Sequence, residues 1–243
     1  MKLIQLNAWG GRLENQLLNF IESENANFVC LQEIISIAGG NGGFFTPLGR
    51  VQKALDYKDC FMSPVFTFSF MRRKASFGNA VLSDTKFEKK TELFTNLKHN
   101  INFDFDEDDY NVRNLQHVVI PIAGQDLNLL NHHGHHIPEH KDGNAETMRQ
   151  MKQIGEYIDQ LKGPVILTGD FNLSPESTSL QQINNRLTNL PLKYKFKTTR
   201  TPLTHKKEVC DYIFVSDEIR VNNFYASEEI ASDHQALILE FDI

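Results

Sequence analysis

Three things are scarce in this chain of 243 residues: positive charge, cysteine and long apolar runs. Lys and Arg number 25 against 31 Asp and Glu, a formal net charge of −6. An acidic chain has no general attraction to a polyphosphate, because binding duplex DNA means replacing its counterions with Lys and Arg. A dedicated duplex-binding module is therefore disfavoured. A nuclease is not, since a local basic patch or a bound cation can reverse the field where it matters. The three cysteines, Cys30, Cys60 and Cys210, are odd in number and widely spaced. They read as thiols of a reducing compartment, neither a disulfide frame nor a zinc site. The apolar run at the N-terminus is too short for a signal peptide. No stretch reaches the ~20 apolar residues that a membrane helix needs. A cytoplasmic, monomeric protein with no membrane span is the expectation.

What is present is an ordinary globular composition, 40% hydrophobic and 23% charged. A chain of this length buries enough surface to form a core without disulfides. Residues 2–6 read as a strand, and Leu13, Leu17, Phe20 and Ile21 recur at helical spacing. The unbroken apolar run 28–31 reads as a strand buried on both faces. A similar order returns later. Residues 127–130 form a strand that ends at Asn131. A helix follows with Met148, Met151, Ile154, Ile158 and Leu161 on one face and Asn144 as its N-cap. Residues 164–167 then form an apolar strand ending in Gly169-Asp170.

Strand, Asn, helix, strand and acid thus occur twice, about 124 residues apart counted from Asn7 to Asn131. Two similar halves follow from this, each a sheet with helices on its outer face, the two sheets packed against each other. Further strands are expected at 78–82, 116–122, 212–215 and 236–241. Phe66, Phe68 and Phe70 alternate with Thr67 and Ser69, the pattern of a half-buried strand whose rings pack a core. The glycine-rich 39–43 reads as a mobile loop and the acidic 104–109 as a solvated one. No linker rich in Pro or Ser divides the chain, so one domain over 1–243 is expected.

Polar residues gather at the carboxyl ends of these strands: Asn7, Glu33, His133, Asp170 and Asn172. Rigid strands aim such side chains into a shared crevice. In Gly169-Asp170-Phe171-Asn172-Leu173-Ser174-Pro175, Gly169 allows a tight exit from the strand. Asp170 and Asn172 point to one side if the chain stays extended. Ser174-Pro175-Glu176 reads as the cap and first turn of a helix. Ser232-Asp233-His234 precedes the last strand, where a carboxylate can orient an imidazole. Asp211 stands at the edge of a core strand and calls for a partner imidazole.

Together, Asn7, Leu31-Gln32-Glu33, Asn131-His132-His133, Gly169-Asp170-Phe171-Asn172, Asp211-Tyr212-Ile213 and Ser232-Asp233-His234 follow the order seen in the endonuclease/exonuclease/phosphatase superfamily. The chain resembles that superfamily from residue 3 to about residue 239. The resemblance implies an α/β fold, a four-layered αββα sandwich of two mixed sheets packed face to face with helices outside. It implies a magnesium-dependent hydrolase, with manganese as the alternative ion, that cleaves phosphoester and chiefly phosphodiester bonds by in-line attack of an activated water. Glu33 would be the main metal ligand, with Asn7 and Asp233 beside it. Asp170 would deprotonate the water and Asn172 would hold it. His234 would donate to a phosphate oxygen, supported by Asp233, and Asp211 would pair with His133, which contacts the phosphate. His132 is the less fitting match. Where some abasic-site enzymes carry a second acid, this chain has Trp9, which would line the pocket with Asn7.

Arg72 and Arg73, in Arg72-Arg73-Lys74, are candidates for a second phosphate or a nucleic-acid backbone, against the plainer reading of a solvated hairpin tip. The substrate would be a nucleic acid or a small phosphodiester, with the acidic stretch favouring the small or single-stranded one. Loops 37–50, 70–76 and 97–113 would decide it. Two other readings stand beside this one. The histidines His132, His133, His135, His136 and His140 suggest a zinc-dependent hydrolase. A family member without activity would be a binding module. No Gly-x-Ser-x-Gly elbow occurs, which disfavours a serine hydrolase.

Overall fold

The computed structural model describes residues 1–37 and 48–243. The expected glycine-rich loop at 39–43 lies outside the described residues. Among the described residues, twelve strands fall into two six-stranded mixed sheets. The first contains β1 (Lys2–Asn7), β2 (Phe28–Ile37), β3 (Asp59–Phe70), β4 (Arg73–Ser83), β11 (Arg220–Ala226) and β12 (Leu237–Asp242), in the order β11-β12-β1-β2-β4-β3. The second contains β5 (Lys89–Asn96), β6 (Arg113–Ile122), β7 (Gln125–His133), β8 (Val165–Asp170), β9 (Thr188–Asn189) and β10 (Asp211–Val215), in the order β5-β6-β7-β8-β10-β9.

Three apolar layers explain why the sheets stack. Leu3, Phe28, Cys30 and Val81 of the first sheet meet Val118, Leu129, Ile166 and Ile213 of the second in one buried cluster. The opposite face of the first sheet (Ile4, Val29, Leu31) is covered by Leu17, Phe20 and Ile21 of α1 (Glu14–Glu24) and by Val51 of α2 (Leu48–Ala54). The opposite face of the second (Leu130, Leu167, Phe214) is covered by Met151, Ile154 and Ile158 of α3 (Ala145–Ile158) and by Ile183 of α4 (Gln181–Asn184). Strands apolar on both faces must be covered on both sides, and the outcome is the αββα sandwich expected. Asn144 caps α3 with a reciprocal pair of bonds to Thr147, as its position suggests. No helix among the described residues is long and apolar enough to cross a membrane.

The internal repeat is real, but its register is not the one the sequence suggests. β1 runs parallel to β2, and β7 runs parallel to β8. Asn7 ends β1 opposite Gln32, whereas His133, not Asn131, ends β7, opposite Asp170. Asn131 sits two residues inside its strand, the place that Gln5 holds in β1. Both are fully buried and bond to Gln32: Gln5 Nε2 donates to Gln32 Oε1 (2.8 Å), and Gln32 Nε2 donates to Asn131 Oδ1 (2.7 Å). Asn131 Nδ2 then reaches the carbonyls of Leu31 (3.0 Å) and Ala80 (3.2 Å) in the first sheet. A chain of amides thus stitches the two sheets together beneath the site.

Other local expectations change. Ser174-Pro175-Glu176 forms a turn closed by Ser177 N–H to Ser174 O (3.0 Å), and the helical turn starts later, at Thr178–Leu180. The loop expected at 70–76 is mostly strand. β3 and β4 are joined by Met71 and Arg72, both in the left-handed region with φ of 46° and 63°. The strands β5, β9 and β11 carry no apolar alternation strong enough to mark them in advance.

Gly169 has a different purpose from the tight exit read into it. It lies inside β8, and a Cβ there would stand 1.9 Å from the carbonyl oxygen of His132. The absent side chain is what lets β7 and β8 close together next to Asp170. Gly169→Ala is therefore expected to lower the unfolding free energy by about 2–3 kcal/mol, as overpacking at backbone does. Urea denaturation measures it, and an unchanged midpoint would contradict this account of β7–β8 packing.

Candidate active site

Glu33 comes from the first sheet and Asp170 from the second. Glu33 lies within β2 where the pairing with β4 slips between Leu31 and Ile34, and its φ is 54°. A bulge adds one residue to a strand and turns a side chain out of the alternating pattern. Glu33 is turned by it towards the open end of the sandwich. Asp170 ends β8, and Asn172 two residues later also has a positive φ, 54°. With Trp9 at φ 50°, three non-glycine residues of one site hold a conformation that costs about 1 kcal/mol or more each.

The amide of Asn7 joins the two acids. Its Nδ2 donates to Glu33 Oε1 (3.0 Å) and to Asp170 Oδ2 (3.1 Å), while its Oδ1 accepts from the Trp9 amide (3.0 Å). His133 Nε2 stands 3.8 Å from Glu33 Oε1 and 3.9 Å from Asp170 Oδ2. Asn172 Nδ2 is 3.3 Å from the same His133 nitrogen, and the Asn172 amide N–H donates to Asp170 Oδ1 (3.0 Å). His234 Nε2 faces Asp170 Oδ2 from the other side at 3.7 Å. Asp233 is 4.0 Å from His234 Nε2, too far for the supporting bond expected of it.

Asp211 is paired differently from the expectation. It lies against His234, with Nδ1 2.9 Å from Oδ2, and not against His133. Thr199 Oγ1 donates to the same oxygen (2.6 Å), and Gln5 Nε2 donates to Asp211 Oδ1 (3.3 Å). The buried carboxylate so held fixes the ring with Nδ1 as donor and Nε2 towards the cleft.

The charges follow from these contacts. Burial alone would drive His234 to neutrality, but Asp211 and Asp170 outweigh it and raise its pKa above 6.5. Burial likewise opposes the charge on Asp170, yet His234 and Arg200 hold its pKa below the ordinary carboxylate range. Glu33 is pushed up by burial, with Asp170 and Asp233 adding to it against Asn7 and His234. The upward shift of Glu33 is chiefly an effect of burial, which a bound cation would offset by stabilising the carboxylate. The carboxylate oxygens of Glu33 and Asp170 suit a hard divalent cation such as magnesium.

Several functional neighbours had no signal in the sequence. Arg200 is buried, lines the cleft and lies in close contact with His234 through Nη1, and its Nε has no partner among the described residues. It arrives because the segment around Thr199 pairs with 233–235, through Thr201 N–H to Asp233 O and Gln235 N–H to Thr199 O. Lys141 is buried and its Nζ donates to Asn172 Oδ1 (2.9 Å) and meets His136 Nδ1 (2.9 Å). Lysine and arginine in loops rarely declare themselves before the loops are folded.

The residues around the centre line a cleft of about 680 Å³. Trp9 is part of it, as expected. Arg72 and Arg73 are not among its lining residues, because the hairpin tip carries them away. Phe66, Phe68 and Phe70 line it instead, so these rings are not core alone. The histidines at 132–140 do not converge. His132 is fully buried, with Nδ1 at 2.9 Å from Asn114 O and its ring against Phe171, while His140 is exposed. Among the described residues the tight group of three metal-ligand types is Asp170, Cys210 and His234. Cys210 is a poor ligand there, since burial and then Asp211 push its thiol well above its ordinary pKa.

The model of the Endonuclease/Exonuclease/phosphatase family matches residues 4–234. The chain belongs to this family. The curated proteins give no match. Among solved structures, a family protein from Leptotrichia buccalis is 17% identical with a TM-score of 0.73, covering 100% of both chains. A mannosyl-6-phosphatase from Bacteroides thetaiotaomicron is 16% identical with a TM-score of 0.73, again over 100% of both. A humanized D. rerio TDP2 is 16% identical with a TM-score of 0.70, over 100% of this chain and 99% of that one. At such identities the likeness is one of fold.

Asp211→Asn tests the electrostatics directly. Removing the anion leaves Asp170 alone to oppose burial and Arg200, so the pKa of His234 is expected to fall. An NMR titration of ring-labelled histidine reads this. A titration midpoint unchanged from that of the unsubstituted protein would contradict the assignment of Asp211 to His234.

Proposed function

We propose that this protein is a magnesium-dependent hydrolase of phosphoester, chiefly phosphodiester, bonds, using an in-line attack by water. The observation that carries the reading is the convergence of Glu33 and Asp170, from different sheets, on the single amide nitrogen of Asn7. Family membership supports the reaction class, and the mannosyl-6-phosphatase of like fold supports action on phosphoesters.

Each side chain has a role that its surroundings support. Glu33, with Asn7 and Asp233 beside it, would hold the magnesium or manganese ion. The bound ion would neutralise charge on the phosphoryl oxygens. Asp170, kept ionised by His234 and Arg200, accepts the proton of the attacking water. Asn172, turned by the ammonium of Lys141 on its oxygen, offers its amide nitrogen towards that water. Protonated, His234 would donate from Nε2 to a phosphoryl oxygen in place of its contact with Arg200, and Asp211 stabilises that protonated ring. Burial keeps His133 neutral, well below its ordinary pKa, so it faces the phosphate without charge. Arg200 adds a fixed positive charge where negative charge develops.

A chromogenic phosphodiester, with and without magnesium, tests the reading. Turnover should require the metal and fall by about 10²–10⁴-fold in Asp170→Asn, the usual size of general base catalysis. Activity lost to a zinc-selective chelator in the presence of excess magnesium would move the assignment to zinc. No turnover on any phosphoester, with a tight protein partner, would move it to a binding module.

A further inference from the structure

We propose that the cleft holds a second subsite, an aromatic wall that seats a planar, uncharged ring on the substrate beside the scissile phosphoester. The proposal rests on the hydrolase reading for where the phosphoester lies. It is carried by rings for which the chemistry described so far has no use.

Phe66 and Phe103 are the buried base of the wall, stacked at 4.1 Å between centroids with 19° between planes. Phe105 and Tyr110 stand on that base edge to face, each about half exposed at 47% and 50%. Phe68 meets Phe105 at 4.9 Å in a T-shaped arrangement. Phe66, Phe68, Phe105 and Tyr110 line the same cleft as Asp170 and His234. Rings needed only for packing would be covered. Here an aromatic surface is left open a short way from a polar centre, and every base or aryl group has a face that such a surface can stack.

The wall is also held at a fixed place. The Tyr110 hydroxyl donates to Phe105 O (2.8 Å). Arg113, buried, donates from Nη1 to Tyr110 O (2.8 Å) and from Nε to Gly134 O, the residue after His133 (2.6 Å). One guanidinium thus ties the aromatic loop to the strand end that carries the phosphate-facing imidazole. The loop itself is closed by Asp108, whose Oδ2 accepts from the Asp104 amide N–H and from Asn100 Nδ2, each at 2.8 Å.

That loop excludes one kind of ligand as well as selecting another. Asp104, Asp106, Glu107, Asp108 and Asp109 surround Phe105 in the chain. Further phosphates beyond the ring would meet this acid at close range, so the geometry favours a short substrate over a long polyanion. The chemistry that fits is a phosphoester bearing one neutral planar ring, from an aryl ester or from a single pyrimidine nucleotide.

Trp9, the only tryptophan of the chain, lines this cleft and supplies the readout. Its fluorescence would be titrated with phenylphosphonate, cyclohexylphosphonate and methylphosphonate, none of which is hydrolysed. Phenylphosphonate should bind at least about tenfold more tightly than methylphosphonate, the scale of one stacked ring, and more tightly than the cyclohexyl compound. The phenyl-to-methyl ratio should shrink below about threefold in Phe105→Ala, which leaves no cavity, and in Phe68→Leu, which keeps most of the volume. Comparing thymidine 5′-phosphate with phenyl phosphate tells a nucleotide from an aryl ester. Equal binding of the three phosphonates, no binding of any, or a phenyl preference that survives both substitutions would overturn the subsite. A ring preference without turnover would remove the hydrolase reading and leave the wall standing. Turnover without a ring preference would do the reverse.

Discussion

The buried amide of Asn131 is the contact on which the site depends. It belongs to the second sheet, yet its nitrogen bonds the carbonyls of Leu31 and Ala80 in the first, and also Gln116 Oε1 at 2.9 Å. Gln32 and Gln5 extend this row of buried amides until Gln5 reaches Asp211. Face-to-face packing of two apolar sheets is non-directional and would tolerate sliding. Directed bonds between buried polar groups do not, because a slip leaves each donor unsatisfied at about 1–3 kcal/mol. The amide row therefore sets the distance and register at which Glu33 of one sheet faces Asp170 of the other.

On that base the site holds several charges close together at low exposure. Asp170, Asp211, His234 and Arg200 are all buried, a costly arrangement unless each charge meets an opposite one. The pairing runs outward: Asp211 holds His234, His234 and Arg200 hold Asp170, and Glu33 at the mouth keeps its charge against burial with the amide of Asn7 and with His234. The opening beside Glu33 is where a cation and a phosphoryl group would enter. The positive φ angles of Trp9, Glu33 and Asn172 add local cost at the same place. The sandwich beneath is what sustains that cost.

Much of this was legible before folding. Apolar runs at 28–31 and 164–167 marked buried strands, Asn144 marked a helix start, and polar residues at strand ends marked Asn7, Glu33, His133, Asp170 and Asn172 as one group. What stayed hidden has physical reasons. The bulge that aims Glu33 leaves no trace in an apolar run. The register that puts His133 rather than Asn131 opposite Asp170 is set by long-range pairing. The partner of Asp211 depends on how a loop at 199–201 crosses the last turn, and no local pattern distinguishes His234 from His133. Arg200 and Lys141 are ordinary loop cations until folding buries them. The three Phe of β3 alternate as core residues do, and only the neighbouring loop shows that one side of them stays open.

The central claim is spatial: acids from both sheets face one divalent cation at the mouth of the sandwich. Anomalous diffraction from crystals soaked in manganese measures this most directly. The account predicts a single strong peak about 2.1 Å from a carboxylate oxygen of Glu33, within the cleft shared with Asp170 and His234. A peak held by His135, His136 or His140, or no peak near Glu33 at saturating metal, would contradict it.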